Sequence, residues 1–528
     1  MAHPKAAYAP RQPSGTVLHK LVTEHLEDFL QHARDNYAAP LPKYVENEFR
    51  GHLACGDFSK GFAHVRCTSC DHEMLVAFSC QNRGVCPSCT GRRMANVAAH
   101  LVDRVLPSVP VRQFVLSYPY ELSGLAATRP DVLASLCRIL AEAIALHYRT
   151  WANSVGLAAA QTGAVTFVHR FGSSLNLHTH FHVVVLDGVY VERDDRLAFF
   201  ASPAPAREAL EALVQRVVVR SVKWMKRKGY VREDLDSNET KPLSALEALS
   251  VLAMQRGTFE TTRDAGDDAS RDDDPPRKQG HVVTHLGFNL HAGVTIAAHD
   301  DVGRERLCRY GARPPFALAK LRILKDGNVS YLVKKVGRGR TKCRLMTPVE
   351  FLARLAALIP PPKFPLVRFA GVLAPRSKWR ARVVPQPPTA RPERAACVDP
   401  SEIIERIASA APAPAAPAPM SEPAAPSAVA VRAAVFAEDL AAQSDALEVL
   451  APNILSLGHW ARLHNGELYA AQPRVDWASL LRRTFDVDVK TCPKCSGRLE
   501  VRALVTDPMA AAAMLERLAR PRAPPRAA

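Results

Sequence analysis

The chain has 528 residues, 47% of them hydrophobic, enough apolar material for more than one packed domain. Lys and Arg exceed Asp and Glu by 17, an excess that in so long a protein points to a polyanionic partner, nucleic acid above all. No apolar run reaches the roughly 18 residues a membrane-spanning helix needs, and the N-terminal MAHPKAAYAPRQPSG lacks the hydrophobic core of a secretory signal.

The composition, rich in Ala, Arg and Pro, fits a GC-rich bacterial genome, and a cytoplasmic, nucleoid-associated protein is expected, with no membrane partner. In that compartment the twelve cysteines stay reduced, so their spacing reads as metal ligation rather than as disulfides. After a disordered 1–14, residues 16–37 are a helix, with Val17, Leu21, Leu26, Phe29 and Ala33 on one face. A cysteine-rich stretch covers about 50–95, and a helix from Met94 to Val105 ends near Pro107. Strand, helix and strand follow at 111–118, 129–155 and 163–171, then a long strand at 177–192 and a helix at 205–228. The acidic segment 262–280 reads as a flexible insertion. Strand sequence resumes at 281–297, a helix runs from near Gly303 to before Pro314, a hairpin covers 329–345, and a short helix 348–358. These elements divide into a domain at 15–106, a second at 107–375, a Pro/Ala-rich linker at 376–435 and a small appendix at 436–528 carrying a CxxC.

Cys67-Thr-Ser-Cys70 and Cys86-Pro-Ser-Cys89 stand fifteen residues apart, the spacing of a four-cysteine zinc site. Each pair makes a knuckle offering two thiolates, and one ion would join Cys67, Cys70, Cys86 and Cys89. Cys55, His64, His72 and Cys80 are surplus to that site, and Cys492 with Cys495 makes only half of another. Arg83, Arg92 and Arg93 flank the knuckles, as phosphate contacts would.

The stretch NLHTHFHVVVLDG sets His178, His180 and His182 at every second position of a strand, and therefore on one face. Adjacent members lie roughly 6.6 Å apart along the backbone, so two imidazoles can share an ion. His180 and His182 are the better pair, with His178 or a residue elsewhere as third ligand. Imidazoles left unpaired in a buried strand would be costly, which favours a metal over a mere polar edge. Downstream, RERLCRYGARPP puts Tyr310 near a helix end among Arg306, Arg309 and Arg313, a fitting place for a phenol beside a phosphate. The hairpin bears Lys334, Lys335, Arg338, Arg340 and Lys342, a candidate DNA-backbone contact or simply a solvated basic turn.

Taken together, CTSC…CPSC followed by RRM, RFGSSLNLHTHFHVVVLDGV, GFNLHAGV, RLCRYGARPPFALAKL and LARLAALIPPPKFPLVRFAGVLAP resemble rolling-circle insertion-sequence transposases of the HUH class (His, hydrophobic, His) over about 15–375, plus the cysteine-bearing tail. The resemblance implies an α+β fold: an N-terminal helical zinc-knuckle domain, then an endonuclease domain with a central antiparallel sheet flanked by helices and the histidine strand at its centre. It implies that His180 and His182 hold Mg2+ or Mn2+, that the cysteines hold structural Zn2+, and that Tyr310 attacks DNA to leave a 5′-phosphotyrosine. The partners implied are the single-stranded ends of the mobile element and its target. Many relatives carry a second tyrosine four residues earlier; Arg306 stands there, so this resembles a single-tyrosine version. Phe369 and Ala370 stand where relatives often have Tyr-His. The rival readings are a plasmid replication initiator or relaxase with the same chemistry, and a non-catalytic zinc-dependent DNA-binding protein.

Overall fold

The computed structural model describes residues 12–70, 72–230, 243–255, 259–263, 281–336, 340–386, 474–485 and 487–519. The expected acidic insertion and nearly all of the Pro/Ala-rich segment lie outside these residues.

Helix α1 (Val17–Asp35) starts where the Thr16 hydroxyl accepts the His19 amide at 3.2 Å, and it buries Leu18, Leu21, Val22, Leu26, Phe29, Leu30 and Ala33 along one stripe. Helix α2 (Lys43–Leu53) sets Phe49 edge-on to Phe29, their rings 5.9 Å apart. Strands β1 (Phe62–Cys67) and β2 (Glu73–Ala77) form a hairpin, and α3 (Pro87–Arg104) follows. This helix begins well before the expected Met94, because Pro87 sits in its first turn, where the missing amide has no helical partner to lose.

Then come β3 (Val111–Ser117), α4 (Tyr120–Thr128), α5 (Pro130–Ser154), β4 (Gly163–Phe171), β5 (Leu177–Leu186), β6 (Gly188–Arg193), β7 (Arg196–Ala201) and α6 (Arg207–Arg227). They are followed by α7 (Ala245–Met254), β8 (Phe259–Arg263), β9 (Val282–His285), β10 (Phe288–Ile296) and α8 (Asp301–Gly311). The last elements are β11 (Leu321–Ile323), β12 (Val329–Val336), β13 (Arg340–Met346), α9 (Pro348–Leu358), β14 (Val367–Gly371), α10 (Arg380–Val383), α11 (Trp477–Phe485), β15 (Leu499–Val505) and α12 (Pro508–Ala519).

The main sheet runs β14-β4-β5-β3-β10-β9, every neighbouring pair antiparallel, with the histidine strand β5 inside it. Two strands expected as single pieces are broken. The 177–192 stretch divides at Asp187, whose buried carboxylate accepts Arg112 Nε at 2.9 Å, Arg112 Nη2 at 2.8 Å and the Tyr148 hydroxyl at 2.8 Å. Gly188 then passes so close to β7 that an added Cβ would lie 2.1 Å from the Phe200 carbonyl oxygen, and β6 leaves to pair with β7 instead. The 281–297 stretch is a hairpin, β9 with β10, turned by Leu286 and Gly287 at φ 46° and 77°.

Side chains alternate across this sheet. Phe181, Val183 and Val185 of β5, with Phe114 and Leu116 of β3, pack under α5 and α6. Val184 and Leu186, with Val165 and Phe167 of β4, face α3 and α8. A second core joins α1, α2, α7 and α9 to the sheet β11-β12-β13-β8. β15 pairs antiparallel with β1, from Phe62 opposite Val505 to Cys67 opposite Leu499, giving a third sheet, β15-β1-β2. Among the described residues no helix is long and apolar enough to cross a membrane.

Candidate metal centre and tyrosine helix

The even-numbered residues of β5 face α3 and α8, so His180 and His182 point to that side. On β4 the same face carries Val165, Phe167 and then His169, which lies directly opposite His180 in the register. His169, His180 and His182 each offer a ring nitrogen, and the three atoms lie within 4.8 Å of one another. The neighbours select which nitrogens are free. A carbonyl only accepts, so His169 Nε2–H donates to the Gly311 oxygen at 2.6 Å and Nδ1 keeps its lone pair. Likewise His180 Nδ1–H donates to the His178 carbonyl at 3.1 Å, freeing Nε2. The Gln113 side-chain amide lies with Nε2 3.0 Å from His182 Nδ1, and its nitrogen and oxygen are interchangeable by a flip. With its oxygen turned to that nitrogen it accepts the proton and frees His182 Nε2. His169 Nδ1 and His182 Nε2 are buried with no protein partner, as ligand atoms awaiting a cation would be.

Burial sets the charge of the group. It pushes His180 down to about 4 and His182 down to about 3, helped by the neighbouring imidazoles and Arg313, and holds His169 well below the ordinary histidine range. All three are neutral near pH 7, the state that binds metal. His178 shares the strand face but is not among the converging three; its ring stacks on His180 at 5.3 Å. Of the two options for a third donor, His178 or a residue elsewhere, the converging imidazole is His169 on the neighbouring strand. A strand places alternate residues too far apart for three to meet, whereas the neighbouring strand is only about 4.8 Å away.

Helix α8 lies across this face. Asp300 caps it by accepting the Gly303 amide at 2.7 Å, and Gly311 ends it against the sheet. An added Cβ at Gly311 would meet the Phe167 ring at 2.6 Å, so only glycine permits this approach. The contact brings the Tyr310 ring to 5.2 Å from that of His182, edge-on, while the tyrosine stays 41% exposed. Arg313 lies over the same ring, its guanidinium 4.8 Å from the Tyr310 ring centre and 5.3 Å from that of Phe171.

The remaining basic residues separate sharply. Arg306 is exposed one turn before Tyr310. Arg309, expected at DNA, is fully buried and paired with Glu305 at 2.9 Å; it braces the helix from behind and has no surface to offer a phosphate. Arg83 also turns inward, donating to the Phe364 carbonyl at 2.5 Å. Arg92 and Arg93 are exposed. Lys334, Lys335 and Arg340 lie on paired strands β12 and β13 as the hairpin reading requires, and Arg338 lies outside the described residues.

The expected grouping of Cys67, Cys70, Cys86 and Cys89 does not form. Cys55, Cys80, Cys86 and Cys89 make one cluster, and Cys67, Cys70, Cys492 and Cys495 another. The hairpin is the reason. Cys55 and Cys80 flank its base and Cys67 and Cys70 its tip, and a strand of this length spans about 17 Å. In the first cluster Cys55 and Cys89 are 3.8 Å apart, Cys55 and Cys86 3.5 Å, Cys80 and Cys89 3.4 Å. Four thiolates on one zinc at Zn–S of about 2.3 Å lie about 3.8 Å apart. The Glu48 carboxylate accepts the Arg83, Gly84 and Val85 amides at 2.7, 2.9 and 3.2 Å, fixing the turn that delivers Cys86.

Residues 21–118 match the family model of the IS91 type described as "Transposase zinc-binding domain", and residues 163–380 match the one described as "Putative transposase". The chain thus carries a zinc-binding domain of the IS91 transposase type followed by a transposase domain. No curated protein and no solved structure matches it. Transposase domains are those of enzymes that cut and transfer DNA, so DNA is the partner these two regions imply. The first matched region contains the cluster of Cys55, Cys80, Cys86 and Cys89; the second contains His169, His180, His182 and Tyr310.

Proposed function

We propose that this transposase cuts and rejoins single-stranded DNA by the HUH reaction, with Tyr310 as nucleophile beside a divalent cation held by His169, His180 and His182, and that it moves its element by a rolling-circle route. The observation that carries the proposal is the convergence of three neutral ring nitrogens next to a half-exposed tyrosine. The donor set fits manganese or magnesium with DNA oxygens completing the shell, the imidazoles leaning toward manganese. When bound, the cation supplies positive charge to the non-bridging oxygens of the scissile phosphate.

The protein's own groups do the rest. The Tyr310 oxygen forms a bond to phosphorus as the bond to the 3′-oxygen breaks; the phenol proton leaves to solvent and the departing oxygen takes up a proton. The 5′-phosphotyrosine keeps the phosphodiester energy, so a 3′-hydroxyl rejoins the strand by the reverse displacement without a nucleotide cofactor. Arg313, stacked on Tyr310, favours a phosphate at that ring. A solvent-open cleft beside His169, lined by Arg93 and Arg313, is a path for the strand. Zinc on Cys55, Cys80, Cys86 and Cys89 stabilises the module that carries Arg92 and Arg93.

A labelled single-stranded oligonucleotide bearing the element's end tests this. With manganese or magnesium, a covalent protein–DNA adduct is expected from the wild type and none from Tyr310→Phe. Undiminished adduct in Tyr310→Phe would refute the assignment.

A further inference from the structure

The second cysteine cluster joins two segments more than four hundred positions apart, and its C-terminal half lies outside both matched regions. Cys67 and Cys495 are 3.5 Å apart, Cys70 and Cys492 3.7 Å, Cys70 and Cys495 3.3 Å. These are again the separations of thiolates around one tetrahedral zinc. Both halves have the shape of a knuckle. The Ser69 amide points at Cys67 Sγ at 3.4 Å, and Ser496 N–H donates to the Cys492 carbonyl at 2.9 Å. They are also fitted to one another. A Cβ at Gly497 would lie 2.6 Å from Ser69 Oγ and 3.1 Å from Cys67 Sγ, and Thr68 N–H donates to the Arg498 carbonyl at 2.9 Å.

The same C-terminal segment reaches the tyrosine helix. Arg483 on α11 is buried and pairs with Asp103 of α3 and with Glu305 of α8, at 2.9 Å for the latter. Glu305 in turn holds Arg309, one residue before Tyr310.

We propose that Cys67, Cys70, Cys492 and Cys495 are a second structural zinc site, assembled from the two ends of the chain, and that its ion docks the C-terminal segment as a brace behind helix α8. The ion substitutes for a hydrophobic core that so short a segment lacks. The inference does not depend on Tyr310 being the nucleophile, because its readout is metal and docking.

Zinc measured on the purified full chain is expected at about two ions per molecule. Cys492→Ser/Cys495→Ser is expected to fall to about one, and Cys492→His, which keeps a zinc donor, to stay near two. A double-serine variant that still holds two ions, or a wild type that holds one, overturns the site. A second measurement needs no cysteine variant. A protease site introduced between residues 387 and 473 is cut in the full-length protein, and the C-terminal fragment is expected to stay bound in zinc buffer and to dissociate on chelation. A fragment that leaves in zinc, or stays after all zinc is removed, overturns the docking role.

Discussion

His180 and His182 come from one strand and His169 from the strand beside it, whereas Cys67 and Cys495 meet across 428 positions of chain. In the histidine centre, backbone pairing sets donor positions: register places His169 opposite His180, and alternation aims all three at α8. In the cysteine clusters each C-x2-C turn places only its own two sulfurs, and topology selects which pairs meet. A site built on strands is pre-shaped before metal arrives, while one built from loops and chain ends takes much of its order from the ion.

Several substitutions sharpen that contrast. The largest effect is expected from Tyr310→Phe, a loss of adduct of about a thousandfold or more with manganese affinity kept, since the phenol oxygen is not a ligand. Next comes the pair His169→Ala and His178→Ala. Losing His169 should abolish manganese binding by calorimetry, whereas losing His178 should change it less than about threefold; the reverse order would break the reading of the strand faces. Gln113→Leu leaves His182 Nδ1 without its partner and should weaken manganese binding about 10–100-fold with the fold intact by circular dichroism. Arg483→Met takes the guanidinium away from the buried Asp103 carboxylate and leaves Glu305 with Arg309 alone, and should cost about 3–5 kcal/mol in denaturant unfolding. The smallest change is Gly311→Ala, where the Phe167 ring must yield to a Cβ: about 1–3 kcal/mol of stability together with reduced adduct, because α8 is pushed off the sheet.

Chelation gives the comparison a further edge. Removing metal should leave the secondary structure around β4 and β5 unchanged, because their apolar faces are buried by α5, α6, α3 and α8 regardless of any ion. Near the cysteines the same treatment should expose amides to hydrogen exchange, first at 67–70 and 492–497, where few apolar side chains cover the chain.

Much of the centre could be read from residue order. The period of two in LHTHFHVVVL placed His180 and His182 on one face, and the tyrosine helix was recognisable from its flanking arginines and the Pro-Pro beyond. His169 carries a local signal of its own: in GAVTFVHRF it is the position where an otherwise apolar face turns polar. What was missing was the register that sets it opposite His180, which no local pattern encodes. Arg309 lies away from its expected place at DNA for a related reason. A helix periodicity tells which residues share a face, but the buried Glu305 that pairs with Arg309 lies one turn away, and Arg483, which holds Glu305 in place, comes from the far end of the chain.

Composition, spacing and alternation determined that this protein engages DNA, that its C-x2-C pairs at 67–70, 86–89 and 492–495 each turn two sulfurs to one side, and that paired imidazoles sit on a central strand, because each is a property of composition or of neighbours within a few residues. Which knuckle meets which, which strand supplies the third imidazole, and which arginines face inward were decided by tertiary structure alone. Those outcomes depend on distances between elements, set by hairpin length, sheet register and the close approach that Gly311 and Gly497 allow, and separation along the chain carries no such distance.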